Sequence, residues 1–274
     1  MSASDHQQAA PARNEAGDAP APARFPDLAG RHVFITGGGA GIGAALTKGF
    51  LLQGCKVSFV QRSDATQFCR RMEQETGSRP EFIPCDITDI PALEEAMATA
   101  RNALGPVDIA INNAANDTRH TLAEMAEEEW DRCQAVNLKP HFFVARYLAD
   151  DLKRNGEGVI INMSSISYML GNAGYPCYMA AKSGIIGLTR ALARELGAHG
   201  VRVNALLPGW VMTERQRRLW VTEEALAAHL ELQCLKRPLQ PEDIVGPTLF
   251  LASRASAMIT AQALVVDGGA VFTG

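Results

Sequence analysis

Thr36-Gly37-Gly38-Gly39-Ala40-Gly41-Ile42-Gly43 follows the β-branched apolar run 32–36 and leads straight into the helical Ala44-Ala45-Leu46. Read alone, a glycine-rich stretch is only a tight turn. Placed between a strand and a helix it is a seat for a phosphate-bearing ligand, because glycine allows the turn and a close backbone approach while the helix offers its unpaired N–H groups to the anion. Working outward, nearly continuous apolar runs recur at 32–36, 56–60, 81–85, 107–111, 158–162, 201–207 and 263–266, which is the pattern of strands covered on both faces.

Helical patterns lie between them at 43–52, 65–75, 90–103, 127–153, 175–198 and 241–253. Strands separated by helices require right-handed crossovers over a parallel sheet. The expectation is therefore an α/β, doubly wound Rossmann fold with a seven-stranded parallel sheet. Asn137 and Pro140 interrupt 127–153, which predicts two helices end to end. The segment 210–236 is a long insertion with a helix at 222–233, expected to act as a substrate lid.

Length and composition bound what such a fold does. The 274 residues suit one domain, 28–274, and the net charge of −4 provides no basic footprint for nucleic acid or anionic lipid. The expected partner is a small molecule. Six cysteines stand singly with no C-x-x-C pair, so neither a metal site nor a disulfide framework is expected, and a reducing cytoplasm fits. No apolar run approaches the ~18 residues of a membrane span, and no signal peptide is evident, so no membrane association is expected. Residues 1–27, rich in Ala and Pro, are expected to form a disordered tail.

The glycine spacing is G-x-x-x-G-x-G (Gly37, Gly41, Gly43), and from Leu28 to the C-terminus the chain resembles the short-chain dehydrogenase/reductase family. The resemblance rests on further marks in order: Cys85-Asp86-Ile87, Asn112-Asn113-Ala114-Ala115 with Ala115 replacing a glycine, Ser165, Tyr178 with Lys182, Pro208-Gly209, and Val266-Asp267-Gly268-Gly269. It implies a nicotinamide dinucleotide held by Gly37, Gly39, Gly41, Ile42, Gly43, Asp86, Ile87, Asn113, Ala114, Ala115, Pro208, Gly209, Val211 and Thr213, together with Tyr178 and Lys182. Asn112 and Asn113 would also hold the central sheet together. At the end of the second strand, Gln61-Arg62-Ser63 carries no acid for the ribose hydroxyls, and a guanidinium at Arg62 favours a 2′-phosphate. NADP is favoured over NAD, with use of both open.

Hydride transfer from an alcohol carbon needs a base for the hydroxyl proton, and an unperturbed tyrosine, pKa about 10, is a poor one. Tyr178 and Lys182 are i and i+4 on one helical face, so the ammonium is expected to favour the phenolate. The resemblance adds Ser165, rather than Ser164, as the hydroxyl that holds the substrate oxygen, and Asn137 as a fourth member that keeps a helix kinked. Tyr175 has Met179 at i+4 and is expected to pack or line the pocket.

Substrate contacts are expected from Asn116, Asp117, Arg119 and His120, from Ser165, Ser167, Tyr168, Asn172 and Tyr178, and from Trp210, Gln216 and Trp220. Such a density of hydrogen-bonding groups suits a polyol or sugar. The stretches around Asn116–His120, Arg215-Gln216 and 233–236 are similar to those of bacterial aldose 1-dehydrogenases of this family, which implies oxidation at C1 to a lactone. Two alternatives stand beside this reading: reduction of a 3-oxoacyl thioester or other ketone, and a catalytically inactive cofactor-binding regulatory protein. The resemblance also implies a homo-oligomer, tetramer or dimer, formed through the helices at 137–153 and 175–198.

Overall fold

Alternation along each central strand sorts side chains to two sides of a sheet, and two cores follow from it. Val33 and Ile35 of the first strand pack with Leu46, Phe50 and Phe59, whereas Phe34 between them packs on the opposite face with Met97, Ala110 and Leu148. The computed structural model describes residues 23–272; most of the N-terminal tail (1–22) and residues 273–274 lie outside the described residues. The elements run β1 (His32–Thr36), α1 (Gly41–Leu52), β2 (Lys56–Gln61), α2 (Thr66–Thr76), β3 (Glu81–Pro84), α3 (Ile90–Leu104), β4 (Ile109–Asn112), α4 (Glu127–Asn137), α5 (Lys139–Lys153), β5 (Val159–Met163), α6 (Ser167–Leu170), α7 (Pro176–Leu196), β6 (Arg202–Pro208), α8 (Glu214–Leu219), α9 (Glu223–Leu232), α10 (Val245–Ala252) and β7 (Ala263–Val266).

The sheet has seven parallel strands in the order β3-β2-β1-β4-β5-β6-β7. The order reverses between β1 and β4, where Thr36 stands opposite Asn112, and the crevice beyond the carboxyl ends of these strands is where such sheets receive ligands. Helices α1 and α10 cover one face, and α3, α5 and α7 the other.

The structure departs from the sequence reading in several places. The outer strands β3 and β7 are only partly buried, since each has one open edge: Ile83 is the single buried residue of the two, although both faces of each strand meet apolar side chains. The helical pattern at 241–253 resolves into a 3-10 turn, Pro241–Ile244, followed by α10. The short helices α6 and α8 were not expected, because neither is long enough to show a helical period. Ala23–Asp27 are not free tail: the Gln53 carboxamide donates to Ala23 O and accepts from Phe25 N–H, and Arg254 N–H donates to the Asp27 carboxylate. The expected break within 127–153 falls at Leu138, whose backbone (φ −130°, ψ −52°) leaves helical geometry between α4 and α5. Among the described residues no helix is long and apolar enough to cross a membrane.

A buried polar ladder ties the strands beneath the crevice. Asn112 Nδ2 donates to Asn162 Oδ1 (2.9 Å), Asn162 Nδ2 donates to Thr189 Oγ1 on α7 (3.0 Å), and Ser164 Oγ donates to Lys182 O (2.7 Å). Paired in this way the groups hold β4, β5 and α7 in fixed relation; unpaired, each costs about 1–3 kcal/mol. Asn162→Leu leaves both Asn112 and Thr189 without partners, and we expect it to destabilise the fold by about 2–4 kcal/mol, lowering Tm by several degrees in a thermal melt.

Candidate active site

The glycine turn is built by close approach. Gly37 and Gly41 adopt left-handed backbone conformations (φ +72° and +52°), and a Cβ on Gly43 would stand 1.8 Å from the Gly37 carbonyl oxygen. Asn113 braces the turn: its Nδ2 donates to Thr36 O and Gly37 O, both at 3.1 Å, while Thr36 Oγ1 accepts from Asn113 and Ala114 N–H at 2.9 and 3.0 Å. Ala40 precedes α1 in extended conformation and gives no side-chain cap, so the first N–H groups of that helix remain open to an anion. An uncapped helix start beside a cradle that a single Cβ would fill fits the pyrophosphate of a dinucleotide.

At the end of β2 the three expected cofactor residues divide. Gln61 is committed to the turn, with Oε1 accepting from Gly39 N–H at 3.0 Å and Nε2 donating to Ser63 O at 3.0 Å. Arg62 projects outward with 79% of its side chain exposed, 3.7 Å from the Asp86 carboxylate. Burial draws the Asp86 carboxyl upward, but hydrogen bonds from the Thr88 N–H and hydroxyl, with Arg62 beside it, hold it below the usual range.

Next to the turn lies a cavity of about 440 Å³. It brings together Ser165, Tyr178 and Lys182 with the expected Ile42, Asn113, Ala115, Pro208, Gly209, Val211 and Thr213 on the turn side. Of the expected substrate contacts, Asp117, Arg119, Ser167, Asn172, Trp210, Gln216 and Trp220 line it too. Asn116, His120 and Tyr168 do not, and Tyr168 instead packs against the buried cluster of Ile166, Ile186, Ala205 and Leu207. The backbone of Asn116 is clamped by Asn137, whose Oδ1 accepts from Asn116 N–H at 2.8 Å and whose Nδ2 donates to Asn116 O at 3.0 Å, and its side chain accepts from Thr118 and Arg215. His120 ties its loop to the one before α7 through N–H to Gly174 O at 2.7 Å. Asn137 itself is fully buried behind the wall, at the α4–α5 break, and acts on the site by holding the loop that carries Asp117.

The electrostatics differ from the simple expectation. Lys182 Nζ lies 5.5 Å from the Tyr178 ring centre and donates to Met163 O at 2.8 Å. Burial pushes its pKa down to about 7, against a smaller upward pull from Asp117 and Cys133, so near neutral pH much of the lysine is uncharged. Tyr178 is pushed up, first by burial and then by Asp117, with a hydrogen bond to Ser165 working the other way. The ammonium therefore does not lower the phenol, because its own charge is destabilised by burial and it donates to a backbone carbonyl. Of the two adjacent serines, Ser164 is occupied by Lys182 O, whereas the Ser165 hydroxyl faces Tyr178 and accepts from Ser167 N–H at 3.1 Å.

The outer wall comes from 210–236. Thr213 Oγ1 caps α8 by accepting from Gln216 N–H, and Met212 N–H to Leu239 O pins the base of the segment. Trp210 Nε1 donates to Gln216 Oε1 (2.9 Å), Gln216 Nε2 donates to the Asp117 carboxylate, and Arg215 Nε reaches the same carboxylate at 3.2 Å. The Arg119 guanidinium stacks over Trp220 (4.6 Å) and lies 5.5 Å from the Tyr175 ring, which makes Tyr175 a wall residue. Sequence reasoning missed Ala225, Ala228, His229 and Leu232, which face the cavity from α9. Their i, i+3, i+4, i+7 spacing is the signal that would have found them.

With this geometry in view, comparison with known proteins is informative. A family model described as enoyl-(acyl carrier protein) reductase matches residues 37–271. A protein of Rhizobium meliloti (strain 1021) named as a probable galactose dehydrogenase is 48% identical over 248 residues, covering 90% of this chain and 97% of its own. A D-xylose 1-dehydrogenase of Caulobacter vibrioides (strain NA1000 / CB15N) is 41% identical over 250 residues, covering 89% and 97%. Among solved structures, a 3-oxoacyl-[acyl-carrier protein] reductase from Brucella melitensis ATCC 23457 superposes with a TM-score of 0.81 at 32% identity, covering 89% of this chain and 92% of that one.

Two outcomes are expected. Gly43→Ala drives a methyl group into the Gly37 carbonyl and reduces nicotinamide dinucleotide affinity at least tenfold by fluorescence titration, with a lowered Tm. Lys182→Met removes a buried charge. Between about pH 7 and the ordinary lysine value of 10.5 the unfolded chain holds a proton that the folded chain has released, so wild-type stability rises with pH across that window and is most penalised below it. The variant is therefore expected to melt above wild type near neutral pH, and the gap to narrow as the pH is raised toward 10.5.

Proposed function

Given that the chain belongs to the short-chain dehydrogenase/reductase family and is thus an NAD(P)-dependent oxidoreductase, we propose that it oxidises a cyclic aldose at C1 to the lactone. The observation that carries this reading is the cavity beside Tyr178 and Ser165, whose lining brings the polar side chains of Asp117, Arg119, Asn172 and Gln216 together with the rings of Trp210 and Trp220. Hydroxyls removed from water need paired partners, and a pyranose presents C–H faces to aromatic rings. The relatives named as a probable galactose dehydrogenase and a D-xylose 1-dehydrogenase support it.

In this reading Ser165 donates a hydrogen bond to the anomeric oxygen, and Tyr178 takes the anomeric hydroxyl proton. Lys182, whose proton is exchangeable near neutral pH, holds the charge that lets Tyr178 act as a base once ligands complete the site. Asn137 keeps the Asp117 loop in place. The dinucleotide, when bound, supplies the hydride acceptor; the uncapped start of α1 and the braced glycine turn would hold its pyrophosphate, and Asp86, Ile87 and Arg62 its adenosine end. The exposed Arg62 favours the 2′-phosphate of NADP, although Asp86 shares its charge. Helices α5 and α7 are proposed as subunit interfaces, consistent with the exposure of Phe142 on α5.

The test follows reduced-nicotinamide absorbance with D-galactose, D-xylose, L-arabinose, L-fucose and D-glucose, each with NADP⁺ and NAD⁺, and traps the product as a hydroxamate to identify a lactone. One or more aldoses should turn over, with kcat falling by at least about a thousandfold in Tyr178→Phe. If no aldose reacts while an acetoacetyl thioester is reduced, the ketone-reductase reading replaces this one. Arg62→Ala should lower kcat/KM with NADP⁺ by about tenfold or more and leave NAD⁺ turnover within about twofold.

A further inference from the structure

Most polar groups of the cavity wall are already bonded within the protein. Trp210 Nε1 and Gln216 serve each other and Asp117, Asp117 is held by Arg215, and Lys182 is bonded to Met163 O. Among the described residues Arg119, Asn172 and Tyr175 make no side-chain hydrogen bond, and of the enclosed wall atoms Ser167 Oγ, Trp220 Nε1 and His229 Nε2 are buried without a partner. Leaving such atoms unpaired costs free energy, and a cavity that leaves several unpaired is complementary to a ligand that brings hydroxyl groups.

His229 stands apart within that set. It sits on α9 in the 210–236 segment, and its ring meets Trp210 edge-on, with centres 5.4 Å apart and planes at 87°, so the imidazole is oriented before any ligand arrives. Burial lowers its pKa, against smaller upward pulls from Asp267 and from a hydrogen bond to the Gln233 side chain, which favours the neutral ring. A neutral imidazole has one donor and one acceptor nitrogen, and a hydroxyl can satisfy either tautomer.

We propose that His229 is a specificity-determining residue, hydrogen-bonding through Nε2 to a sugar hydroxyl away from the reacting carbon. This rests on the aldose reading above. It assigns discrimination among aldoses to α9, while Ser165, just past β5, and Tyr178 on α7 handle the anomeric centre shared by all of them. A site that hydrogen-bonds a substrate hydroxyl rejects the analogue lacking it, because the protein group is then left unpaired.

The test compares wild type, His229→Leu and His229→Gln on the accepted aldose and its singly deoxygenated analogues at saturating cofactor. The expected result is a KM raised at least tenfold in His229→Leu with kcat within about threefold, and recovery of most of the loss in His229→Gln. One deoxy analogue should be similarly poor for wild type and lose no more than about twofold further in His229→Leu, since the partner hydroxyl is already gone. Cofactor affinity and Tm, measured alongside, show that the variants are folded; the wild-type deoxy series and His229→Gln carry the test if His229→Leu is not. An unchanged KM, an equal loss on every analogue, or a fall in kcat alone overturns the proposal. Wild type that oxidises aldoses with no dependence on His229 removes this proposal only, whereas wild type that oxidises no aldose removes the aldose reading and this proposal with it.

Discussion

Everything at the ligand-binding end of the sheet depends on one steric constraint, the approach of Gly43 to the carbonyl of Gly37. That approach brings the first turn of α1 against the end of β1, and it is possible only because a Cβ is absent where the gap to a backbone oxygen would be 1.8 Å. Asn113, reaching across from the end of β4, then closes the turn from the other side of the switch point. The helix start is thereby left uncapped and aimed at the crevice, which is the condition for binding a pyrophosphate through backbone N–H groups.

The second constraint is the pairing of a buried lysine with a buried tyrosine. Burial makes each expensive to ionise, and the two pKa values move in opposite directions, lysine down to about 7 and tyrosine up. The ladder Asn112–Asn162–Thr189 with Ser164–Lys182 supplies the rigidity that keeps both groups in place. Asp117 connects this centre to the outer wall, since it acts electrostatically on both groups while being held by Arg215 and Gln216 of α8.

The fold was legible because its signals are local. Parallel strands covered by helices read as continuous apolar runs, and the glycine turn, Tyr178 and Lys182 have short-range spacings. The edge strands were over-read as fully buried, because an apolar run does not reveal how many neighbours it has. Helices α6 and α8 escaped because a period needs more than four to six residues to appear. His120 and Asn116 were placed in the pocket by proximity in sequence to Asp117 and Arg119, but a loop without regular structure sends neighbouring side chains in unrelated directions.

By itself, then, the amino-acid order determined the strand and helix succession, the glycine turn and the i, i+4 placement of Tyr178 and Lys182, since each is encoded in spacing along a few turns or one strand, whereas Ser165 was picked out only by resemblance to a family. Tertiary structure alone decided which polar groups are already paired and which remain free. Gln61 is bonded into the turn while Arg62 is left outside it, Asn137 serves the Asp117 loop, and Lys182 is bonded to Met163 O rather than set against the phenol. The same holds for His229, brought from a separate helix to the cavity wall. Hydrogen-bond partners and burial depend on distances between elements far apart in sequence, and no local pattern carries that information.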